Sequence, residues 1–230
     1  MKTGTALLEK GIDTLARKDK DIKRLIAPRK AEIVSLLDRY LKELKFFNPA
    51  YGLVGTNDTD ELIIKHLLDS LAPLGIISRL LAEIGGGTNP PQIADAGSGA
   101  GLPGIPLSIA MPDCGFTLIE RMGRRTGFLW NTKAVLELSN ITVEESELEN
   151  TSGGRFALVT FRAFKPLEPK LLAALFNACS AGGIIAAYKG KREKIRQEME
   201  PLETLCGKWE AIPCSVPFLD EERNLLVIRP

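Results

Sequence analysis

The sequence predicts an α/β protein with a mostly parallel sheet, a helical N-terminal region and an antiparallel hairpin at the C-terminal end. Three observations support this prediction. Short apolar runs alternate with helical patterns after residue 90, and a glycine-dense turn follows the first run. The last two strand-like runs are joined by a polar turn. Such alternation is typical of a Rossmann-like sheet covered by helices on both faces.

The composition is that of an ordinary globular chain. It has 230 residues, 44% hydrophobic and 26% charged, which is enough for one large core. Thirty Lys and Arg residues against 29 Asp and Glu give a net charge of +1, so the total charge does not indicate a nucleic-acid partner. The composition excludes a mainly disordered or fibrous chain. No apolar run approaches the roughly 20 residues of a membrane span, so we expect no membrane partner.

Three further features concern location and metals. The N-terminal segment carries charges every few residues and lacks the apolar core of a signal peptide, so we expect a cytoplasmic protein. The four cysteines form no CxxC pair, which favours reduced thiols. A single histidine, His66, excludes a two-histidine metal site, and we expect no metal.

The N-terminal third reads as helical. Leucine and isoleucine recur at helical spacing in residues 33–44 and 62–71. Between them, residues 46–51 (FFNPAY) read as a loop with three aromatics, which either anchor the loop to the core or stack on an unpaired base. Breaker residues at 85–91 then divide the chain, which predicts a helical cap over residues 1–87 and a second domain over 88–230.

After the breakers come seven strand candidates. Five lie at residues 93–96, 116–120, 141–143, 156–161 and 184–188, and the terminal hairpin is formed by 209–218 and 224–228. Helical spacing occupies residues 123–138 and 168–179 between them.

Charge is unevenly distributed along the chain. Residues 1–45 hold 12 Lys/Arg and 7 Asp/Glu, and a second basic cluster follows residue 189. Residues 137–150 instead hold five glutamates and no basic residue. The basic segments could together contact phosphates, or they could be solvated helix faces.

The glycine-dense turn at residues 93–104 (IADAGSGAGLPG) is the strongest local signal. Glycines allow positive φ and close approach of a ligand to the backbone, and the helix that follows offers free N–H groups. The alternative to a ligand-binding turn is a purely structural turn that binds no ligand. Residues 99–104 satisfy the dinucleotide pattern GxGxxG, with Glu120 at the expected distance for a ribose-binding acid.

A second ligand class competes for this turn. Asp95 and the glycines at 97, 99 and 101 satisfy the DxGxGxG loop of S-adenosylmethionine enzymes. Glu120 would accept ribose hydroxyls in either class, so it does not separate them. Asp95 favours S-adenosylmethionine, because a carboxylate beside an incoming pyrophosphate is unfavourable, whereas an ammonium and a sulfonium tolerate it.

From about residue 46 to 229 the chain resembles the glucose-inhibited division protein B family, bacterial methyltransferases that modify guanine N7 in the decoding-region loop of 16S rRNA. The matching motifs are NPAYGL at 48–53, KHLLDS at 65–70, DAGSGAGLPGIP at 95–106, RAF at 162–164, KG at 189–190 and LDEERNL at 219–225. Three positions depart from the family pattern. Phe161 stands where serine is usual, Glu147 where a basic residue is common, and Glu120 where aspartate is common.

The resemblance implies a class I S-adenosylmethionine methyltransferase fold with S-adenosylmethionine as the cofactor. It implies that Gly97 and Leu102 line the cofactor site, that Leu148 and Glu149 border the adenine, and that Glu120 binds the ribose. The full set of expected cofactor-binding residues is Asp95, Gly97, Ser98, Gly99, Gly101, Leu102, Glu120, Leu148, Glu149 and Arg162.

Arg162 and His66 are the candidate catalytic residues. Guanine N7 carries an exposed lone pair and no proton, so its methylation needs alignment rather than a base. Arg162 follows a strand at the carboxyl edge of the sheet and could hold a phosphate, donate to guanine O6 or form a salt bridge. His66, among apolar neighbours on a helix, is either a packing residue or part of the substrate side.

The remaining predictions concern the substrate. The expected RNA-contacting residues are Asp69, Ser70, Arg124, Arg125, Lys189 and Arg223. We expect a monomer that acts on 16S rRNA or the 30S subunit, including an assembly intermediate. Methylation of another RNA site or of a small molecule, a non-catalytic RNA- or nucleotide-binding module and an NAD(P) enzyme are the alternatives.

Overall fold

The computed structural model describes residues 3–84 and 90–229. The predicted boundary between residues 87 and 88 lies outside these ranges. The N-terminal part is helical, as predicted. Its elements are α1 (Thr3–Lys18), α2 (Lys20–Ile26), α3 (Lys30–Tyr51), α4 (Thr59–Glu61), a π-helix (Leu62–Leu68), α5 (Asp69–Leu71) and α6 (Leu74–Ile84).

The rest of the described chain is a seven-stranded sheet with helices between most strands. The strands are β1 (Gln92–Ala96), β2 (Gly115–Glu120), β3 (Ile141–Glu145), β4 (Phe156–Arg162), β5 (Cys179–Lys189), β6 (Lys208–Pro213) and β7 (Asn224–Arg229). The helices are α7 (Gly104–Ala110), α8 (Gly123–Leu136), α9 (Pro169–Ala178) and α10 (Arg192–Met199).

The strand order is β3-β2-β1-β4-β5-β7-β6. The first five strands pair in parallel, and β7 runs antiparallel to both β5 and β6. The predicted fold class, a mostly parallel sheet closed by an antiparallel hairpin, is therefore confirmed. The order reverses between β1 and β4, which is where open α/β sheets bind ligands at the carboxyl ends of their strands.

Each face of the sheet buries its own hydrophobic cluster, because successive residues of a strand point to opposite faces. On β4, Leu158 packs with the N-terminal helices, α7 and α8, while Val159 and Phe161 pack with α9 and α10. The buried residues of the N-terminal helices thus form a single cluster with one sheet face. Separate domains over 1–87 and 88–230 remain a prediction.

The predicted loop at residues 46–51 is wrong, because these residues form the last turns of α3. Pro49 lies inside the helix, where it lacks a backbone donor and its ring crowds the carbonyl four residues earlier. Packing offsets this loss, since Phe47 contacts both Phe128 and Tyr51 at centroid distances of 5.6 and 5.3 Å. The helix ends at Gly52, which has φ of +59° and donates its N–H to the Asn48 carbonyl at 2.9 Å.

Two strands differ from their predicted limits. The first strand of the hairpin ends at Pro213 instead of residue 218, and β5 begins at Cys179 instead of residue 184. Within the described residues, no helix is both long enough and apolar enough to cross a membrane.

Candidate active site

A cleft of about 930 Å³ opens at the carboxyl edge of the sheet, where the strand order reverses. Its walls come from the glycine turn after β1, the ends of β4 and β5, the π-helix and the segment before β7. A side pocket of about 190 Å³ reaches toward the ends of β2 and β3. The two spaces share the lining residues Gly97, Arg125, Ala163, Phe164 and Lys165.

The glycine turn needs its glycines for two different reasons. Gly97 has φ of +67°, and a Cβ there would lie 2.0 Å from the Phe164 ring. Gly99 has φ of +57°, but a Cβ would meet its nearest neighbours only at 3.8 and 3.9 Å. Gly97 therefore allows close packing of the chain that follows β4, whereas Gly99 leaves backbone open to the cleft.

Asp95 holds this turn from beneath. It is fully buried, and its Oδ2 accepts hydrogen bonds from Ser98 Oγ at 2.7 Å and from the Gly104 N–H at 2.9 Å. Its Oδ1 has no partner in the described part of the chain, and burial raises the pKa of this carboxyl to about 6. Asp95 and Gly101 do not line the cleft, unlike Ser98 and Leu102, so their direct contact with a cofactor remains a prediction.

The Asp95 contacts bear on the two ligand classes. In dinucleotide-binding folds the pyrophosphate lies at the N-terminus of the helix after β1. Here the N–H of Gly104, the first residue of that helix, already donates to a carboxylate. This arrangement disfavours a pyrophosphate and fits the S-adenosylmethionine class.

Glu120 closes the side pocket at the end of β2. Its Oε2 accepts from the Gly99 N–H and its Oε1 from the Met122 N–H, both at 2.9 Å, and Arg125 Nη1 lies 3.9 Å from Oε2. Each carboxylate oxygen can accept a further bond, which suits two vicinal hydroxyl donors. The site therefore fits a ribose at this position.

Leu148 and Glu149 line the same pocket as Glu120. Glu149 Oε1 lies 3.3 Å from Lys165 Nζ, whereas its buried Oε2 has no partner in residues 3–84 and 90–229. The pocket thus offers an apolar contact and a spare acceptor beyond the ribose position, as the adenine end of a nucleoside requires.

The opposite wall is organised by Arg162, at the end of β4. Its Nη1 donates to Asp69 Oδ2 at 2.9 Å and to the Lys65 carbonyl at 3.2 Å, and its Nη2 lies 3.1 Å from His66 Nδ1. Asp69 Oδ1 accepts from Arg223 Nε at 3.2 Å. The π-helix is relevant because such turns recur at functional sites, and here both Lys65 and His66 face Arg162.

His66 is neutral in this cluster. Burial, together with the positive charge of Arg162, lowers the pKa of His66 to about 4. Because a guanidinium only donates, Nδ1 must accept the bond from Arg162 and Nε2 must carry the proton. His66 lines the cleft, and with Nδ1 engaged by Arg162 its other ring nitrogen is a hydrogen-bond donor, not a base.

The other predicted RNA-contacting residues lie at different depths. Lys189 lines the cleft but is paired with Glu198 at 2.7 Å, while Arg125 lines both spaces. Ser70 is fully buried and donates to the His66 carbonyl at 2.7 Å. Arg124 lies outside the cleft, over the Tyr51 ring. Their contacts with RNA remain predictions.

The family model described as rRNA small subunit methyltransferase G, GidB, matches residues 33–227. A protein named ribosomal RNA small subunit methyltransferase G from Treponema denticola is 37% identical over 91% of this chain and 92% of its own length. The protein of the same name from Cellvibrio japonicus is 34% identical over 89% of this chain and 90% of its own. The chain belongs to this family.

Solved structures support the fold. A S-adenosylmethionine-dependent methyltransferase from Aquifex aeolicus aligns with a TM-score of 0.53 at 14% identity, covering 74% of this chain and 93% of that one. The tRNA (m1A58) methyltransferase from the same organism aligns with a TM-score of 0.52 at 12% identity, covering 68% of each chain. This member of the GidB family therefore has the class I methyltransferase fold.

Two departures from the family pattern have a place in the structure. Phe161 is buried on β4, where its ring lies 6.3 Å from the Phe164 ring and 5.6 Å from Lys189 Nζ. Glu147 lines the side pocket, 3.8 Å from Arg121. Neither residue interrupts the contacts of Arg162 or Glu120.

Two cleft residues of this family member, Tyr188 and Glu198, were not predicted from the sequence. Tyr188 donates its hydroxyl to the Ser70 carbonyl at 2.7 Å, and Glu198 accepts from both Lys189 and the Leu167 N–H. Tyr188 had a visible signal, its place beside the KG motif at the end of a predicted strand. Glu198 had none, because its role depends on α10 folding back over the sheet.

Proposed function

We propose that this protein transfers a methyl group from S-adenosylmethionine to N7 of a guanosine in 16S ribosomal RNA. The observation that carries the proposal is a single cleft with two different walls. One wall has the open backbone of Gly99 beside the side pocket that Glu120 lines, and the other has the Arg162–His66–Asp69 cluster. Family membership supports both the enzyme class and the cofactor.

The cofactor wall suits S-adenosylmethionine, which supplies a methyl group bound to a sulfonium. Glu120 would accept the ribose hydroxyls, with Leu148 and Glu149 beside the purine. The open backbone at Gly99 would allow the methionine part of the cofactor to lie against the turn.

The substrate wall suits guanine N7. Arg162 and neutral His66 both present N–H donors, and guanine O6, next to N7, is an acceptor. Nδ1 of His66 is already bonded to Arg162, so it is not free to remove a proton. N7 carries no proton, and alignment alone can lower such a barrier by roughly 7–11 kcal/mol.

The RNA must present this guanosine unpaired. The deep major groove of A-form RNA hides N7, so the base has to be in a loop or turned out of the stack to enter the cleft. The partner is thus an exposed loop of 16S rRNA, free or within the 30S subunit. We also propose that the protein acts as a monomer in the cytoplasm.

The deciding experiment is to map 7-methylguanosine in 16S rRNA from cells with and without this protein. We expect one modified guanosine to disappear with the protein and to return when labelled methyl is transferred in vitro to the unmodified RNA or 30S particle. Transfer to neither substrate, with S-adenosylmethionine binding intact, would instead favour a small-molecule substrate or a non-catalytic module.

A further inference from the structure

Helices α3 and α8 pack against each other in antiparallel orientation beside the cleft. Each contact pairs one residue of α3 with one of α8: Tyr51 with Arg124, Phe47 with Phe128, Glu43 with Asn131, and Arg39 with the carbonyl of Val135. Successive pairs advance by about one turn on both helices. The line of contacts therefore extends about 18 Å from the cleft rim.

One side of this helix pair is exposed to solvent. Successive residues of an α-helix are rotated by about 100° around its axis. In two antiparallel helices, the residues that come just before the contact residues therefore all lie on the same side of the helix pair. Seven of these eight preceding residues are exposed, and we call them the α3–α8 face: Lys42, Phe46, Ala50, Gly123, Gly127, Trp130 and Ala134. The eighth, Asp38, is half-buried and pairs with Lys42 at 2.5 Å.

Two aromatic side chains dominate the α3–α8 face. Phe46 is 77% exposed and Trp130 is 49% exposed, although each could have been buried in a chain with this much core. The contact pairs place them within one helical turn of each other along the face. Exposed aromatic rings on one face offer surfaces on which unpaired bases can stack.

The charge around the rings favours a polyanion. Residues 121–136 hold four cations and no carboxylate. Arg121 and Arg125 lie 3.8 and 3.9 Å from glutamates of neighbouring segments, which leaves Arg124 and Lys133 for a polyanion. Lys133 Nζ lies 5.2 Å from the Trp130 ring centre, and Arg124 lies 5.9 Å from that of Tyr51. The nearby Glu43 on α3 accepts a hydrogen bond from Asn131, so its charge is partly engaged.

We propose that the α3–α8 face binds the single-stranded RNA that flanks the target nucleotide. Bases stack on Phe46 and Trp130, and phosphates contact Arg124 and Lys133. On α8 the face begins at Gly123, next to Arg124 and close to Arg125, which lines the cleft, so a strand leaving the cleft can continue along it. This inference rests on the proposed RNA substrate.

The test compares Trp130→Ala and Phe46→Ala with Leu205→Ala, a control at another exposed apolar residue outside this face. In vitro-transcribed 16S rRNA and 30S particles are the two substrates. We expect each aromatic variant to bind the transcript roughly tenfold more weakly, since stacking on one ring contributes that order of affinity. The Tm and the affinity for S-adenosylmethionine should match wild type.

Lys133→Ala tests the phosphate contacts. The slope of the logarithm of the RNA-binding constant against the logarithm of the salt concentration should become less steep by about 0.7 in this variant.

Two outcomes would overturn the inference. The first is wild-type affinity of both aromatic variants for the transcript and the 30S particle. The second is a defect confined to 30S particles, which would assign the face to a ribosomal protein. Failure of the proposed function is distinguishable, because wild-type protein would then bind RNA without methylating it.

Discussion

The two walls of the cleft are built in different ways. On the proposed cofactor wall, Glu120 and, beneath the glycine turn, Asp95 accept hydrogen bonds from backbone N–H groups within about 20 residues of themselves. On the substrate wall, Arg162 reaches Asp69 across 93 positions of the chain, and Arg223 reaches it across 154. The first wall is therefore a local product of β1, β2 and their turns. The second exists only after three distant segments have met.

This difference has a functional consequence. Carboxylates that accept hydrogen bonds from backbone N–H groups fix the shape of the glycine turn, and this shape does not depend on the rotamers of distant side chains. A fixed shape suits a cofactor that is always the same molecule. The substrate wall instead depends on side chains that share one buried carboxylate, Asp69. Changes on one wall should thus affect one ligand and leave the other ligand largely unaffected.

The largest effect is expected for Arg162→Ala. This change removes the donors that face the cleft, so we expect the rate of methyl transfer at saturating S-adenosylmethionine to fall roughly 100-fold or more. The protein should still fold, since Asp69 keeps Arg223 as a partner. Arg155→Ala is the matched control, because Arg155 pairs with Glu144 at 2.7 Å outside the cleft. An unchanged rate, or an equal loss in the control, would remove Arg162 from the site.

The next effect concerns the cofactor wall. Glu120→Gln weakens the charge-assisted bonds expected with the ribose, so the Kd for S-adenosylmethionine should rise about tenfold or more in calorimetry. RNA affinity should remain at the wild-type value. Glu145→Gln is the control, because Glu145 ends the neighbouring strand and accepts from Thr126 at 2.7 Å. Loss of RNA binding in Glu120→Gln would contradict the separation of the two walls.

The same contrast explains how much the sequence could predict. The positions of most strands and the glycine turn were predictable, because apolar runs, glycines and the acids Asp95 and Glu120 are patterns over short chain distances. The sharing of Asp69 by Arg162 and Arg223 was not predictable, because Asp69 lies 93 and 154 residues from them in the chain. Strand position indicated only that Arg162 lies at the carboxyl edge of the sheet. The helix at residues 46–51 was missed because the packing of Phe47 on Phe128, from another element, outweighs the effect of Pro49.

A smaller and sharper test uses two buried tyrosines. Tyr40 donates to the Ala100 carbonyl of the glycine turn at 2.6 Å, and Tyr188 donates to the Ser70 carbonyl behind the substrate wall at 2.7 Å. Each bond is expected to contribute about 1 kcal/mol. Tyr40→Phe should therefore raise the Kd for S-adenosylmethionine by up to about fivefold, whereas Tyr188→Phe should raise the KM for RNA. Each variant serves as the control for the other, and identical effects on both ligands would show that the walls are coupled.

The last prediction is a pH dependence of stability that arises from His66 on the substrate wall. The folded pKa of His66 is about 4, well below its ordinary value of 6.5, because burial and Arg162 disfavour the charged ring. Between these two values the unfolded chain binds a proton that the folded chain does not, so the free energy of unfolding decreases as the pH falls from 6.5 toward 4. Above pH 6.5 both states are neutral and the contribution of His66 is constant.

His66→Gln removes this titration while keeping an acceptor for Arg162. Denaturant titrations at several pH values should therefore show a shallower loss of stability toward low pH in the variant than in wild type. The affinity for S-adenosylmethionine should change equally with pH in both proteins, since Glu120 and the glycine turn are not altered. If wild type and variant lose stability in parallel between pH 6.5 and 4, the pKa of His66 is not lowered in the folded protein, which contradicts a neutral ring buried against Arg162 in this pH range.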